Sequence, residues 1–314
     1  MKIVFLDALT IGADLDFKLL EKEGELIIYQ TSLKEDLAER IKDAEIIITN
    51  KVLIGKNEFE KAQNLKLICV AATGYNNIDI EEAKKRNIIV ANVKNYSTEA
   101  VVQHTLSLIL ALQNSIVEFA NESKSGNWSK SPIFTMLNHT FVDLKGKNLG
   151  IIGFGTIGKR VAEIAKAFGM NVLVGKRKGI NYNNDDRVEF EELIKRSDVI
   201  SIHAPLSENT LNLFTENEFK KMKNDAIIIN TARGGILNEK DLYNALKNKE
   251  IRAAAIDVAE NEPINIDNPL LKLDNIIITP HIAWTSKDSR IRLLKGIVEN
   301  IKMYKDGRGN EIMV

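Results

Sequence analysis

The stretch Lys147-Asn148-Leu149-Gly150-Ile151-Ile152-Gly153-Phe154-Gly155-Thr156-Ile157-Gly158-Lys159-Arg160 joins a strand, a glycine turn and a helix start. Leu149 to Ile152 is a short apolar run of the kind a buried strand shows. Val161, Ile164, Ala165 and Phe168 recur beyond it at helical spacing. Gly169 supplies a helix stop, and Asn171-Val172-Leu173-Val174 reads as the next strand. Within the turn, Gly153 permits the tight bend, Gly155 lets backbone approach a pyrophosphate, and Gly158 allows close helix–strand packing. The helix start presents free N–H groups and a positive dipole end to phosphates. Glycine loops also serve as plain turns. The flanking strands and helix make this one a dinucleotide seat.

The same alternation extends in both directions. On the C-terminal side, strands are expected at Val199–Ile202, Ala226–Ile229, Ala253–Ile256 and Ile276–Ile278, and a last helix at about Lys287 to Tyr304. On the N-terminal side, Ile3–Leu6, Leu26–Tyr29, Glu45–Thr49, Lys66–Val70 and Ile88–Ala91 read as strands separated by short helices. The expected fold is α/β: two doubly wound, Rossmann-like parallel-sheet domains with a cleft between them. Residues 1–96 and 286–314 make the first, flavodoxin-like domain, and 97–285 the dinucleotide-binding domain. Ser97 to about Phe119 is expected as one long helix, nearly apolar from Ala100 through Leu112 and therefore buried all round. His104 within it reads as a packing histidine. Asn121 to Asp143 is polar and irregular, an arm or crossing segment.

Composition bounds the partners. The chain has 314 residues, with 43 Lys+Arg against 43 Asp+Glu, so no net field draws it to nucleic acid or to an acidic membrane. Cys69, the single cysteine, lies in the apolar run Leu67-Ile68-Cys69-Val70, which rules out an internal disulfide and fits a reducing cytoplasm. The apolar run at Ile3–Leu6 is too short for a signal peptide, and no run approaches a membrane span. No Cys/His cluster has metal-ligand spacing.

One feature departs from the usual dinucleotide pattern. An NAD-binding unit ends its second strand with Asp or Glu for the ribose hydroxyls. Here that place holds Gly175-Lys176-Arg177-Lys178. Lys176 and Arg177 suit the dianionic 2′-phosphate of NADP through charge-assisted hydrogen bonds. NADP is therefore favoured over NAD, a solvated basic turn being the alternative.

Three later stretches follow strands with reactive side chains. Asn230-Thr231-Ala232-Arg233-Gly234-Gly235 puts an arginine on a Gly-Gly turn, Asp257-Val258-Ala259-Glu260-Asn261-Glu262-Pro263 offers acids, and Thr279-Pro280-His281-Ile282-Ala283-Trp284 puts a histidine after a strand. Singly, each has a structural explanation. Together they form a complete set for carbonyl reduction: Arg233 grips a carboxylate bidentately, His281 gives its proton to the oxygen as hydride arrives, and Glu262 orients the imidazole. Ala71 to Asp79 adds a small-residue loop at a strand's carboxyl end, where ligands of open α/β sheets bind.

These blocks, with Ala72-Thr73-Gly74-Tyr75-Asn76-Asn77-Ile78-Asp79 and Ser201-Ile202-His203-Ala204-Pro205-Leu206, resemble the D-isomer-specific 2-hydroxyacid dehydrogenase family over nearly the whole chain. The glycerate dehydrogenase/hydroxypyruvate reductase branch is the most similar. The resemblance implies Arg233 as carboxylate anchor, Glu262 as partner carboxylate and His281 as acid/base. It implies cofactor contacts from Gly153, Gly155, Thr156, Ile157, Gly158, Ala204, Pro205, Thr210, Thr231, Ala232, Asp257 and Ala283. Thr73, Gly74, Tyr75 and Asn50 would bind a short, polar 2-keto acid. The family is typically a homodimer joined through the long helix and the arm after it, here Val101–Leu112 and Gly126–Thr140. Corepressor relatives that keep the fold leave a dinucleotide-sensing protein without turnover as the alternative. The intact Arg233, Glu262 and His281 favour the enzyme.

Overall fold

The computed structural model describes residues 1–176, 186–311 and 313–314. They form two compact units, Met1–Ser97 with Trp284–Val314, and Thr98–Ala283. Ser97, Trp284 and Thr285 thus belong to the first unit rather than the second. Trp284 packs on that unit's core, its ring edge-on to Tyr96 at 6.2 Å.

The first unit is a parallel sheet of β1 (Lys2–Phe5), β2 (Glu25–Ile28), β3 (Ile46–Thr49), β4 (Leu67–Val70) and β5 (Ile89–Ala91), in the order β2-β1-β3-β4-β5. Strands covered on both faces read as unbroken apolar runs, which is why Ile46-Ile47-Ile48 and Leu67-Ile68-Cys69-Val70 show no polar alternation. The pleat sends Ile3, Phe5, Ile46, Ile48, Leu67 and Cys69 to one core, closed by Leu293, Leu294, Ile297 and Ile301 of the Lys287–Lys305 helix. Val4, Ile47, Ile68 and Val70 point the other way, against Leu37, Ile41, Phe59 and Ala83 of three short helices. Cys69 is fully buried, and burial pushes its thiol up, away from the reactive thiolate.

The second unit holds β6 (Asn148–Ile152), β7 (Asn171–Val174), β8 (Val199–Ile202), β9 (Ile227–Asn230), β10 (Ala253–Ile256) and β11 (Ile276–Ile278), all parallel, in the order β11-β10-β9-β8-β6-β7. Beyond β7, Val188 makes a single parallel bridge to Gly175. A third strand of a dinucleotide-binding sheet takes that position. The chain reverses between β6 and β8, and ligands of open α/β sheets bind outside the strand ends at such a point.

The long helix differs from the sequence expectation. Instead of one helix to Phe119 there are two, Thr98–Gln113 and Ile116–Lys124, bent by 64°. Ser115 between them adopts a left-handed φ of 48°, which no α-helix continues through. Burial is not all-round either. Val102, Leu108, Ile109 and Leu112 enter the core against β6, β8, β9 and β10, while Gln103 and Ser107, one turn apart, are exposed.

Candidate active site

The glycine turn follows β6 directly. Gly153 has φ 94°, and a Cβ there would lie 2.5 Å from the backbone of His203 and Ala204, where β8 ends. Gly158 lies in the first turn of the Thr156–Ala167 helix, and a Cβ on it would meet the Gly153 carbonyl oxygen at 2.2 Å. These two glycines let helix and turn touch. Gly155 behaves differently. It is the helix N-cap, with an extended φ of −85°, and nothing lies within 4 Å of where its Cβ would be. Glycine there is required by no neighbour in this chain; the open space is what a pyrophosphate needs. A depression of about 510 Å³, lined in part by Gly155, Thr156 and Lys159, opens over the same helix start. Donors and space fit a dinucleotide.

The neighbouring loop is self-braced. Thr210 Oγ1 donates to the Pro205 carbonyl at 2.6 Å and accepts from the Ser207 N–H at 2.8 Å. Ala204 is buried and Pro205 exposed. His203 is held against Ser201, Nε2 to Oγ at 2.9 Å, and burial lowers its pKa to about 4, so it stands neutral. At the far side of the turn, Lys176 Nζ pairs with Glu189 at 2.6 Å. Arg177 lies outside the described residues.

The Thr231–Gly235 turn is organised by a residue the sequence reading passed over. Asn230, 2 % exposed, accepts from Ala232 N–H at 3.0 Å and donates to the Arg233 carbonyl at 2.8 Å, closing the turn with its side chain. Thr231 is anchored to Thr105 through their hydroxyls at 3.0 Å. Arg233 itself is exposed, with Nη1 donating to the Ala232 carbonyl at 2.7 Å. A polar Asn ending Ile227-Ile228-Ile229 was the available signal, since Asn at a strand end commonly builds such turns.

His281 and Glu262 meet. His281 Nδ1 lies 2.7 Å from Glu262 Oε2, and the other carboxylate oxygen accepts from the Ala259 N–H at 3.1 Å. With Nδ1–H donating to the carboxylate, Nε2 carries no hydrogen bond among the described residues. His281 has φ 54°, a left-handed conformation that a non-glycine residue adopts only where its surroundings impose it.

What imposes it is Asp257. This carboxylate is 1 % exposed and accepts from Thr279 Oγ1 (2.6 Å), Ile282 N–H (2.8 Å) and Ala283 N–H (2.8 Å), gripping the chain on both sides of His281. Burial works against its charge, but these bonds and His104 outweigh it and hold the carboxyl below its ordinary range. The resemblance gives Asp257 to the cofactor; in the structure its oxygens also hold the histidine's turn.

The other predicted residues lie in the first unit. Thr73 Oγ1 donates to the Val93 carbonyl at 2.9 Å, and Asn92 Nδ2 donates to the Thr73 carbonyl, so the Thr73-Gly74-Tyr75 loop is pinned at its base while Tyr75 is exposed. Asn50 is buried. Its backbone, with that of Lys51 and Val52, donates to Asp7, a buried carboxylate whose pKa burial raises despite those bonds. Asp7 was also missed, although it ends the apolar run of β1.

A glycine-turn nucleotide seat and a carboxylate-oriented histidine on one parallel sheet define a dinucleotide-dependent oxidoreductase. Residues 106–283 match the D-isomer specific 2-hydroxyacid dehydrogenase, NAD binding domain. The chain is 40% identical to a hydroxypyruvate reductase of Blautia hydrogenotrophica, covering 98% of each. It is 38% identical to a glycerate dehydrogenase of Methylorubrum extorquens, covering 99% of this chain and 98% of that one. Among solved structures it resembles an acyclic imino acid reductase in complex with NADPH and D-Arg, at 30% identity, TM-score 0.87 and full coverage of both chains. The chain belongs to the D-isomer specific 2-hydroxyacid dehydrogenase family, and it is a nicotinamide-dependent oxidoreductase interconverting 2-keto and 2-hydroxy acids.

Proposed function

We propose that the substrate is a short, polar 2-keto acid of the hydroxypyruvate or glyoxylate type, interconverted with its D-2-hydroxy acid. The observation that carries this reading is the 2.7 Å contact of His281 with Glu262, which leaves Nε2 for the substrate. The names of the relatives supply the substrate class. The bound nicotinamide supplies or accepts the hydride. The chain does the rest. His281 Nε2 gives a proton to the carbonyl oxygen, or takes it back in the reverse direction, and Glu262 balances the imidazolium. Arg233 holds the substrate carboxylate with its outward N–H groups. Thr73, Gly74, Tyr75 and Asn50 contribute to substrate binding. Gly153, Gly155 and Gly158, with the N–H groups of Thr156 and Ile157, hold the pyrophosphate. Ala204, Pro205, Thr210, Thr231, Ala232, Asp257 and Ala283 contact the cofactor, and Thr210 also braces its loop.

NADPH is the preferred reductant in this reading, supported by Lys176 and Arg177 in place of an acid; a 2′-phosphate would draw Lys176 from Glu189. Two copies pair through the long helix and the arm after it, Val101–Leu112 and Gly126–Thr140, a reading supported in the arm by exposed Trp128, Ile133, Phe134 and Leu137. The setting is cytoplasmic, in keeping with a single buried thiol.

Initial-rate reduction of hydroxypyruvate by NADPH and by NADH tests the reading. His281→Asn should lower kcat by about 10²-fold or more, and Glu262→Gln by less. An NADPH preference abolished by Lys176→Ala with Arg177→Ala supports the phosphate site; equal use of NADH sinks it. Cofactor binding without turnover of any short keto acid would select the sensor.

A further inference from the structure

His104 lies on the Thr98–Gln113 helix, far in sequence from the Thr279–Ala283 turn, and its side chain is 20% exposed. Its Nε2 is 3.0 Å from Thr279 Oγ1 and 3.5 Å from Asp257 Oδ1. The hydrogen inventory fixes the direction of these contacts. A threonine hydroxyl has one proton, and at 2.6 Å from a carboxylate that proton belongs to the bond with Asp257. The Thr279 oxygen is then an acceptor toward His104, so Nε2 must carry the hydrogen. The result is a directed chain, His104 Nε2–H to Thr279 Oγ1–H to Asp257 Oδ1. It ends on the carboxylate that also grips the backbone of Ile282 and Ala283. His281 sits between these anchored residues in a left-handed conformation.

We propose that His104 is a positioning residue for His281. It sets the Thr279 hydroxyl and the Asp257 carboxylate from outside the turn, and they hold the strained backbone that aims the imidazole. Without it, the Thr279 oxygen loses its donor and Asp257 loses the imidazole that the helix places 3.5 Å from its Oδ1. The turn then relaxes toward an ordinary φ, carrying the imidazole off its line to Glu262. The proposal rests on His281 as the acid/base group for its kinetic consequence, but not for its structural one.

The test compares His104→Leu, which keeps bulk and removes the donor, with His104→Gln, which returns an N–H near the Nε2 position. The whole enzyme has four histidines, so each ring Cε1–H signal can be followed by NMR. The expected result for His104→Leu is a displaced or exchange-broadened His281 signal, with His139 and His203 unmoved. The same variant should lose about tenfold to a hundredfold in kcat, a size typical of a small misplacement of a reacting group. KM for NADPH should change little, and His104→Gln should restore both the signal and most of kcat. A His104→Leu protein whose His281 signal and kcat match those of the parent overturns the proposal. So does equal loss in the Leu and Gln variants with all histidine signals shifted, which would mark a packing role. The acid/base reading fails separately, if His281→Asn keeps its turnover; the NMR comparison still judges His104.

Discussion

Replacing Gly155 and Gly158 one at a time by alanine separates what the glycine turn does for the fold from what it does for the cofactor. At Gly158 the new methyl would start 2.2 Å from the Gly153 carbonyl oxygen, so it needs about 1 Å of separation between helix and turn. Alanine's better helix propensity returns about 1 kcal/mol, but forced overpacking costs roughly 1–3 kcal/mol, and the opposing atom is backbone held between β6 and the helix. We expect a net loss of about 1–2 kcal/mol, or roughly 2–8 °C in melting temperature for a unit of this size. At Gly155 the methyl meets nothing within 4 Å and the backbone is extended. There, the weaker N-cap and the stiffer unfolded chain nearly cancel, to within about 0.5 kcal/mol. That methyl does, however, project into the space a pyrophosphate needs. The expectation is an unchanged melt for Gly155→Ala with NADPH affinity reduced tenfold or more, about 1.4 kcal/mol. For Gly158→Ala, melt and affinity should both fall. Thermal melts by circular dichroism and fluorescence titration with NADPH read the two quantities. Unweakened NADPH binding by Gly155→Ala would refute the pyrophosphate assignment, and a parental melt for Gly158→Ala would refute the close-contact argument.

Two further expectations concern titratable side chains, one in each unit. His203 is neutral when folded, with a pKa of about 4, and takes a proton more readily when unfolded. Between pH 6.5 and about 4 the unfolded chain therefore binds more protons, and stability should fall on acidification by up to about 3 kcal/mol; above pH 6.5 the contribution is constant. Urea unfolding at pH 7 and pH 4.5 measures this slope, which His203→Gln should flatten; an unchanged slope would mean that His203 protonates without penalty. Asp7→Asn keeps one oxygen acceptor but puts an NH2 group where the other carboxylate oxygen accepts from backbone N–H groups of Asn50–Val52, setting donor against donor. It should cost about 1–3 kcal/mol and raise KM for the keto acid while leaving NADPH binding intact. A rise in the NADPH dissociation constant instead would break the link between Asp7 and the Asn50–Val52 turn.

Period and punctuation in the sequence determined a great deal. Apolar runs bounded by Gly, Asn and Asp marked strands of both sheets, because parallel strands covered on both faces have no polar alternation to confuse with a helix. The Gly153–Gly158 spacing announced its own geometry: Gly153 and Gly158 answer two close approaches within the chain, and Gly155 leaves open space beside the helix start. Arg233, Glu262 and His281 stood out as reactive side chains just after strands. That Glu262 pairs with His281 across intervening chain was an expectation only chemistry could supply.

The tertiary structure decided the rest, and for one physical reason. A hydrogen bond depends on where two atoms end up, and sequence distance says nothing about that. Asn230 closes the arginine turn locally, yet Asp7 reaches across to Asn50–Val52, and His104 reaches from an apolar helix to Thr279 and Asp257. Within that nearly apolar helix His104 looked like packing, as a histidine among apolar neighbours commonly is. Only the folded chain shows that its ring nitrogen ends at the turn carrying His281. The bend at Ser115 was equally silent, since nothing in Gln113-Asn114-Ser115-Ile116 forbids a helix; a left-handed residue stops it. Residue types therefore named the chemistry, and folding chose which of them hold it in place.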